Sequence, residues 1–149
     1  MNTRISDPSH ETTLHVRDAC LCLHSQRVAR ALARRFDNAF KEIGITSGQF
    51  SLLMALNRAE PPGLGSVADL LAMDRTTLTA NLKPLERQGY VEIHANPDDR
   101  RSRLLTLTVA GRNVLRKAIP IWDRTHAAVE ATLHDADALR KDLGRLSNA

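Results

Sequence analysis

Aromatic side chains are scarce in this sequence of 149 residues: Phe36, Phe40, Phe50, Tyr90 and Trp122 make up 3% of it. Leu, Ala, Val and Ile must therefore fill the core, and the scarcity argues against a protein that stacks single-stranded bases on aromatic platforms. Cysteine is rarer still. Cys20 and Cys22 cannot make a disulfide scaffold; on a helix, positions i and i+2 point roughly 200° apart, so a bridge between them would need the helix to unwind. Reduced thiols and a cytoplasmic location are expected from this usage. No apolar run approaches the ~20 residues that cross a bilayer, and the polar start, Met1 to Glu11, lacks the apolar stretch of a signal peptide. Also missing are a P-loop, Gly-x-Gly-x-x-Gly, His-Glu-x-x-His and a zinc-spaced cysteine pair. The six histidines form no recognisable catalytic constellation with the acids, so no enzyme, cofactor or metal site is expected.

What is present suits a single domain in water: 42% hydrophobic and 26% charged residues are ordinary globular values. Abundant Ala and Leu predict a mainly α fold. Lys and Arg number 21 against 17 Asp and Glu, a formal net charge of +4. That balance permits a polyanionic partner, and the placement of the charges decides whether there is one.

Leu21, Val28, Leu32, Phe36, Phe40 and Ile43 recur near helical spacing and predict one long helix from Thr12 to Glu42. Gly44 is placed to end it, and Thr46 to cap a second helix carrying Phe50, Leu53, Met54 and Leu56. After the turn at Pro61, Pro62, Gly63 and Gly65, a short third helix from Ser66 to Ala72 has Ser66 as cap and Asp69 three residues on. The next helix, Arg75 to Gln88, turns Leu78, Leu82 and Leu85 inward and leaves Thr76, Thr77, Thr79, Asn81 and Lys83 on or near the outward side. Pro84 should bend it and Gly89 stop it. Tyr90 to His94 and Leu104 to Thr108 read as strands, joined by a turn containing Asn96, Pro97, Asp98 and Asp99 ahead of Arg100, Arg101 and Arg103. Helices from Val109 to Leu133, kinked near Pro120, and from Asp135 to Leu146 complete the order α-α-α-α-β-β-α-α.

Two helices joined by a tight turn, the second with a threonine-rich outer face, suit a helix-turn-helix in the DNA major groove. Hydroxyls reach phosphates or base edges, the Thr methyl meets the thymine methyl, and an amide pairs with adenine. A basic hairpin tip directly after it can place Arg in a narrow minor groove. The alternative for that hairpin is a solvated loop whose acids neutralise its bases.

The chain resembles the MarR (multiple antibiotic resistance regulator) family of winged helix-turn-helix transcription factors. The resemblance rests on Thr46-Ser47-Gly48-Gln49-Phe50-Ser51-Leu52-Leu53, Asp74-Arg75-Thr76-Thr77-Leu78-Thr79, Leu82-Lys83-Pro84-Leu85-Glu86-Arg87-Gln88-Gly89-Tyr90-Val91, and Asp98-Asp99-Arg100-Arg101-Ser102-Arg103 with Leu107-Thr108 and Gly111. It implies a winged DNA-binding region over residues 46–108, flanked by dimerisation helices over 12–45 and 109–149. It also implies a homodimer reading a pseudo-palindromic operator in duplex DNA, acting as a repressor. By position, Asp99 would orient Arg101, the candidate minor-groove contact, beside Arg100 and Arg103. Arg75, Thr76, Thr77 and Thr79 would contact DNA from the recognition helix, with Asn81 and Lys83 beyond them. Ser47 and Gln49 would meet phosphate at the start of the second helix.

Many relatives of this kind release DNA when a small aromatic carboxylate or phenolic compound binds. Such a carboxylate needs a cation or donors in an apolar cleft, for which His15, Arg17 and His24 are the candidates. Organic-hydroperoxide regulators in the family carry a peroxidatic cysteine near the start of the first helix, and Cys20, with Cys22 beside it, lies in that neighbourhood. Those regulators hold the thiolate with tyrosines, whereas Tyr90 is the sole tyrosine here. With no distal resolving cysteine, oxidation would end in a mixed disulfide, an intersubunit bridge or overoxidation; the plain alternative is a pair of buried packing thiols. A winged helix used for protein contacts without DNA is the remaining rival.

Overall fold

The computed structural model describes residues 7–148, so residues 1–6 of the polar start and residue 149 lie outside it. Where apolar spacing predicts one long helix, two are found. α1 (His10–Ala19) starts at Ser9, whose hydroxyl accepts the Thr12 amide at 3.2 Å. Cys20, at φ −71° and ψ 106°, leaves helical geometry and serves as both C-cap of α1 and N-cap of α2 (Leu21–Phe40). Periodicity is blind to such a break, because one extended residue hardly disturbs the spacing of apolar side chains on either side. α2 also stops short of Glu42: a 3-10 turn, Lys41–Ile43, intervenes, and Gly44 at φ 73° ends it as expected.

α3 (Ser47–Leu56) opens with a reciprocal capping box: the Thr46 hydroxyl accepts the Gln49 amide at 3.2 Å while the Gln49 side chain accepts the Thr46 amide at 3.0 Å. α4 spans Leu64–Leu70, starting two residues earlier than expected, and is capped by Gly63, three residues before Ser66. The Ser66 hydroxyl donates back to the Gly63 carbonyl at 3.1 Å, which puts that side chain inside the first turn and not ahead of it. α5 (Arg75–Arg87) carries Pro84 without ending there, and Gly89 at φ 72° turns the chain into the sheet.

β1 (Val91–Ala95) and β2 (Arg103–Leu107) pair antiparallel with Ile93 opposite Leu105, each strand shifted by one residue from the expected span. Leu105 donates to the Pro62 carbonyl at 3.0 Å and Gly63 bridges Leu104, so the start of α4 is stitched to the hairpin. α6 (Val109–Glu130) runs through Pro120, and α7 (Ala136–Ser147) is capped by Asp135.

The fold is a mainly helical winged helix-turn-helix, with one helix more than the expected order because of the break at Cys20. Its core joins Phe40, Phe50, Leu53, Leu56 and Val67 to the α5 leucines, Leu105 and Val114. α1 and α7 bury nothing. Val16, Leu21, Val28, Leu139, Leu143 and Leu146 lie exposed on α1, α2 and α7, Leu21 at 66%.

Candidate nucleic-acid interface

α5 is oriented by its apolar stripe. Leu78, Leu82 and Leu85 are wholly buried, and burying each contributes roughly 1.5–3 kcal/mol, enough to fix which way the opposite face looks. That face presents Arg75, Thr76, Thr77, Thr79, Asn81 and Lys83, all exposed.

The turn ahead of α5 is made by residues that cannot continue α4. Ala72 adopts φ 50°, a left-handed conformation uncommon for a side chain with a Cβ. The Met73 amide closes onto the Ala68 carbonyl at 2.9 Å. Asp74 then caps α5, accepting the Thr77 amide at 2.8 Å and the Thr77 hydroxyl at 2.6 Å. The Thr77 hydroxyl, and then its amide, hold the Asp74 carboxyl below the usual carboxylate range.

These contacts sort the outward side chains. The Thr77 proton is committed to Asp74, and the Thr79 hydroxyl donates to the Arg75 carbonyl at 2.7 Å, leaving oxygen lone pairs and methyl groups outward. The Asn81 amide rests 3.7 Å from the Met73 sulfur. The Arg75 guanidinium folds over the first turn of α4, where a Cβ on Gly65 would stand 3.2 Å from it. Sequence reasoning missed this role of Gly65, because it depends on a neighbour ten residues away.

In the wing, side chains bind the turn and leave the cations free. Asn96 donates to Ser102 Oγ at 2.8 Å, Ser102 Oγ donates to the Asp99 carbonyl at 3.1 Å, and the Asp98 amide donates to Asn96 at 3.0 Å. Asp99 does engage Arg101, through the backbone amide at 2.9 Å. Among the described residues the ion pairs leave out Arg100, Arg101 and Arg103, and all three are exposed. The neutralised-loop alternative loses its support.

At the start of α3, the half-buried Ser47 amide donates to Asp37 of α2 at 2.6 Å. That N–H is therefore occupied by an internal carboxylate, and the Gln49 side-chain oxygen by the capping box. The hydroxyl of Ser47 and the Gln49 NH2 group are not engaged by these contacts. Nothing in the local pattern signals Asp37, whose partner is ten residues on.

Three further features are built from other residues. A cleft of about 470 Å3 between α3, α4 and α6 is lined by Phe50, Met54, Ile119 and Trp122, with Ser51 and Asp123 as polar groups. His15, Arg17 and His24 are not among its lining residues. Arg17 pairs with Asp18 at 2.6 Å, His24 Nε2 sits 3.1 Å from the Asp18 carbonyl oxygen, and His15 is exposed. The aromatic rings form a ladder from Phe36 through Phe40, Phe50 and Trp122 to His126, with centroid steps of 6.1, 5.0, 6.4 and 4.5 Å. Within the single chain Cys20 is half-buried and Cys22 exposed.

The sequence model of the MarR family matches residues 43–102, from the 3-10 turn into the wing. The Mycobacterium tuberculosis transcriptional regulator MosR, solved in complex with DNA, is 34% identical, with a TM-score of 0.81 over 87% of this chain and 94% of that one. The transcriptional activatory protein BadR of Rhodopseudomonas palustris is 36% identical over 89 residues, 58% of this chain and only 51% of BadR. The organic hydroperoxide resistance transcriptional regulator of Bacillus subtilis is 29% identical over 68% of this chain and 69% of its own length. With the helix-turn-helix, the wing and these relatives in agreement, the chain belongs to the MarR family of transcriptional regulators.

Proposed function

We propose that this protein is a homodimeric repressor that binds a pseudo-palindromic operator in duplex DNA. The observation that carries the reading is the pairing of an outward polar face on a rigidly docked α5 with a wing whose arginines are unpaired. α5 reads the major groove through Thr76, Thr77, Thr79 and Asn81, Arg101 enters the minor groove, and Arg75, Lys83, Arg100, Arg103, Ser47 and Gln49 hold phosphates. Residues 46–108 form the DNA-binding region. The flanking helices dimerise, because the exposed leucines and valines of α1, α2 and α7 need a cover that a second copy supplies.

Gel-shift titration on the DNA upstream of its own gene, against a scrambled duplex, tests the reading. Retardation should be sequence-selective, should weaken steeply with salt, and should be lost on Arg101→Glu or Thr76→Trp. Failure to retard any duplex at low salt would falsify it, and persistence of function in both variants would favour a protein-interaction module.

The cleft between α3, α4 and α6 suits a phenolic effector better than an aromatic carboxylate. Asp123 can accept from a phenol hydroxyl but repels a carboxylate, and no cation lines the cavity. A ligand that prefers the DNA-incompetent spacing of the recognition helices would release the operator. A second reading, oxidant sensing at Cys20, is favoured by the position of that thiol at a helix junction and by the hydroperoxide-resistance relative.

A further inference from the structure

We propose that Arg58 and Arg112 form a binding site for a free phosphate group, as inorganic phosphate or the end of a small phosphomonoester, at the root of the wing. Both arginines line one cavity of about 130 Å3, Arg58 from just beyond the C-cap of α3 and Arg112 from the first turn of α6. Asn57 and Thr106 are its other polar groups, and Leu56 and Pro61 belong to its apolar wall. It shares no residue with the cleft beside Trp122 and none with the candidate DNA contacts. The exposed apolar side chains assigned above to dimerisation lie elsewhere, on α1, α2 and α7.

Each guanidinium is anchored by one N–H to a main-chain carbonyl. Arg58 Nε donates to Ala55 at 3.0 Å, near the end of α3, and Arg112 Nη1 donates to Leu107 at 2.8 Å, at the end of β2. A guanidinium has five N–H donors, so most of each fork is left over, already oriented by its anchor. Among the described residues the ion pairs include neither arginine, and no acid lines the cavity. Glu92 stands opposite Thr106 in the ladder but is engaged by His94 at 3.3 Å, and Glu60 is outside the wall. Two cations sharing one cavity without a carboxylate repel each other, and an anion between them relieves that repulsion.

The donors select the kind of anion. A carboxylate brings one charge and two acceptor oxygens, too few for two guanidinium forks, the Asn57 NH2 and the Thr106 hydroxyl. A phosphomonoester brings close to two charges and three strong acceptor oxygens, which matches both cations and accepts from both forks. Size agrees: with ~30 Å3 for each water, about 130 Å3 holds one tetrahedral ion with its remaining hydration. Organic ligands of drug size need at least about 300 Å3. Occupancy also has a consequence for the wing. The Leu105 amide on the Pro62 carbonyl at 3.0 Å already stitches the α3–α4 loop to β2. An anion held by Arg58 and Arg112 ties that loop to the β2–α6 corner at a second point.

The 15N-labelled full-length protein is titrated with sodium phosphate against sodium chloride at matched ionic strength, following the arginine Nε–H signals by NMR and Tm by thermal unfolding. The Arg58 and Arg112 signals should move together on one saturable curve and Tm should rise; acetate should bind at least about tenfold more weakly. Arg58→Gln, read at Arg112, and Arg112→Gln, read at Arg58, should each weaken phosphate binding at least about tenfold. Shifts no larger than those in chloride, or saturation at only one of the two arginines, overturn the site and leave the pair as anchors of the backbone. The same titration with the duplex from upstream of the gene bound at low salt separates the two sources of phosphate. Both signals should still answer to free phosphate; if the duplex itself moves them and blocks phosphate, the site serves the DNA backbone and the free-anion assignment is overturned.

Discussion

Replacing either of two glycines with alanine should move stability in opposite directions. Gly111, in the first turn of α6, is buried, and a Cβ built there would stand 2.2 Å from the Tyr90 carbonyl oxygen and 3.3 Å from a Leu107 methyl. The carbonyl is main chain and already accepts the Thr108 amide at 3.1 Å. Thr108 in turn donates its hydroxyl to the Gly89 carbonyl at 2.6 Å and accepts the Gly111 amide at 3.0 Å, so the glycine sits where the end of α5, the wing and α6 meet. Relief needs a backbone shift of about 1 Å. Overpacking of this kind costs about 1–3 kcal/mol, and each strained hydrogen bond adds about 1 kcal/mol; the better helix propensity of alanine returns about 1 kcal/mol. The net expectation is a loss of about 2–3 kcal/mol, or roughly 5–10 °C in Tm for a chain of this size. Gly144, inside α7, has nothing within 4 Å of the same added atom, and Gly144→Ala should raise stability by about 0.5–1 kcal/mol. Thermal and urea unfolding at one fixed protein concentration measures both, since dimerisation makes Tm depend on concentration. If Gly111→Ala proves as stable as the parent, the close approach to Tyr90 is not what holds α6 in place.

Ala72→Gly should leave stability unchanged or raise it by up to about 1 kcal/mol, because relief of the left-handed strain roughly meets the added chain entropy; a loss above about 1 kcal/mol in urea unfolding would contradict the φ of 50°. Asp74→Asn should be less stable than the parent at neutral pH. The Asp74 carboxyl lies below its ordinary value in the folded chain, so its contribution is complete above about pH 4. It is lost as pH falls through the depressed folded value, and the gap in Tm between variant and parent should close in acid. Arg101→Ala should weaken operator binding about tenfold, or ~1.4 kcal/mol, by gel shift. Asp99→Asn should stay within about threefold of the parent, since its amide oxygen can still accept the Arg101 N–H. If Asp99→Asn matches Arg101→Ala, the carboxylate acts through its charge on the guanidinium and not through the turn.

The elements that position the candidate interface are legible in the sequence because they are built from local signals. The Leu78, Leu82, Leu85 stripe, the caps at Thr46 and Asp74, and the glycines at 44 and 89 each act within one turn of chain. What was hidden depends on distance or on a single dihedral. Cys20 breaks a helix without disturbing its apolar rhythm, Asp37 reaches Ser47 from another element, and Arg75 lies over Gly65 only because the turn between them closes. Ser66 looked like a cap by composition, but its hydroxyl bonds backward to Gly63 once the helix starts a half-turn earlier. The cleft beside Trp122 had no signature at all, since its walls come from three helices separated by loops.

The ring ladder that ends on His126 makes Trp122 a built-in optical probe. It is the sole indole of the chain, it forms part of the cleft wall, and its plane stacks on an imidazole. A phenol bound against it would alter the polarity that sets its emission wavelength. That wavelength is therefore a channel, available without a label, through which occupancy of the cleft can be followed in the same cuvette as operator release.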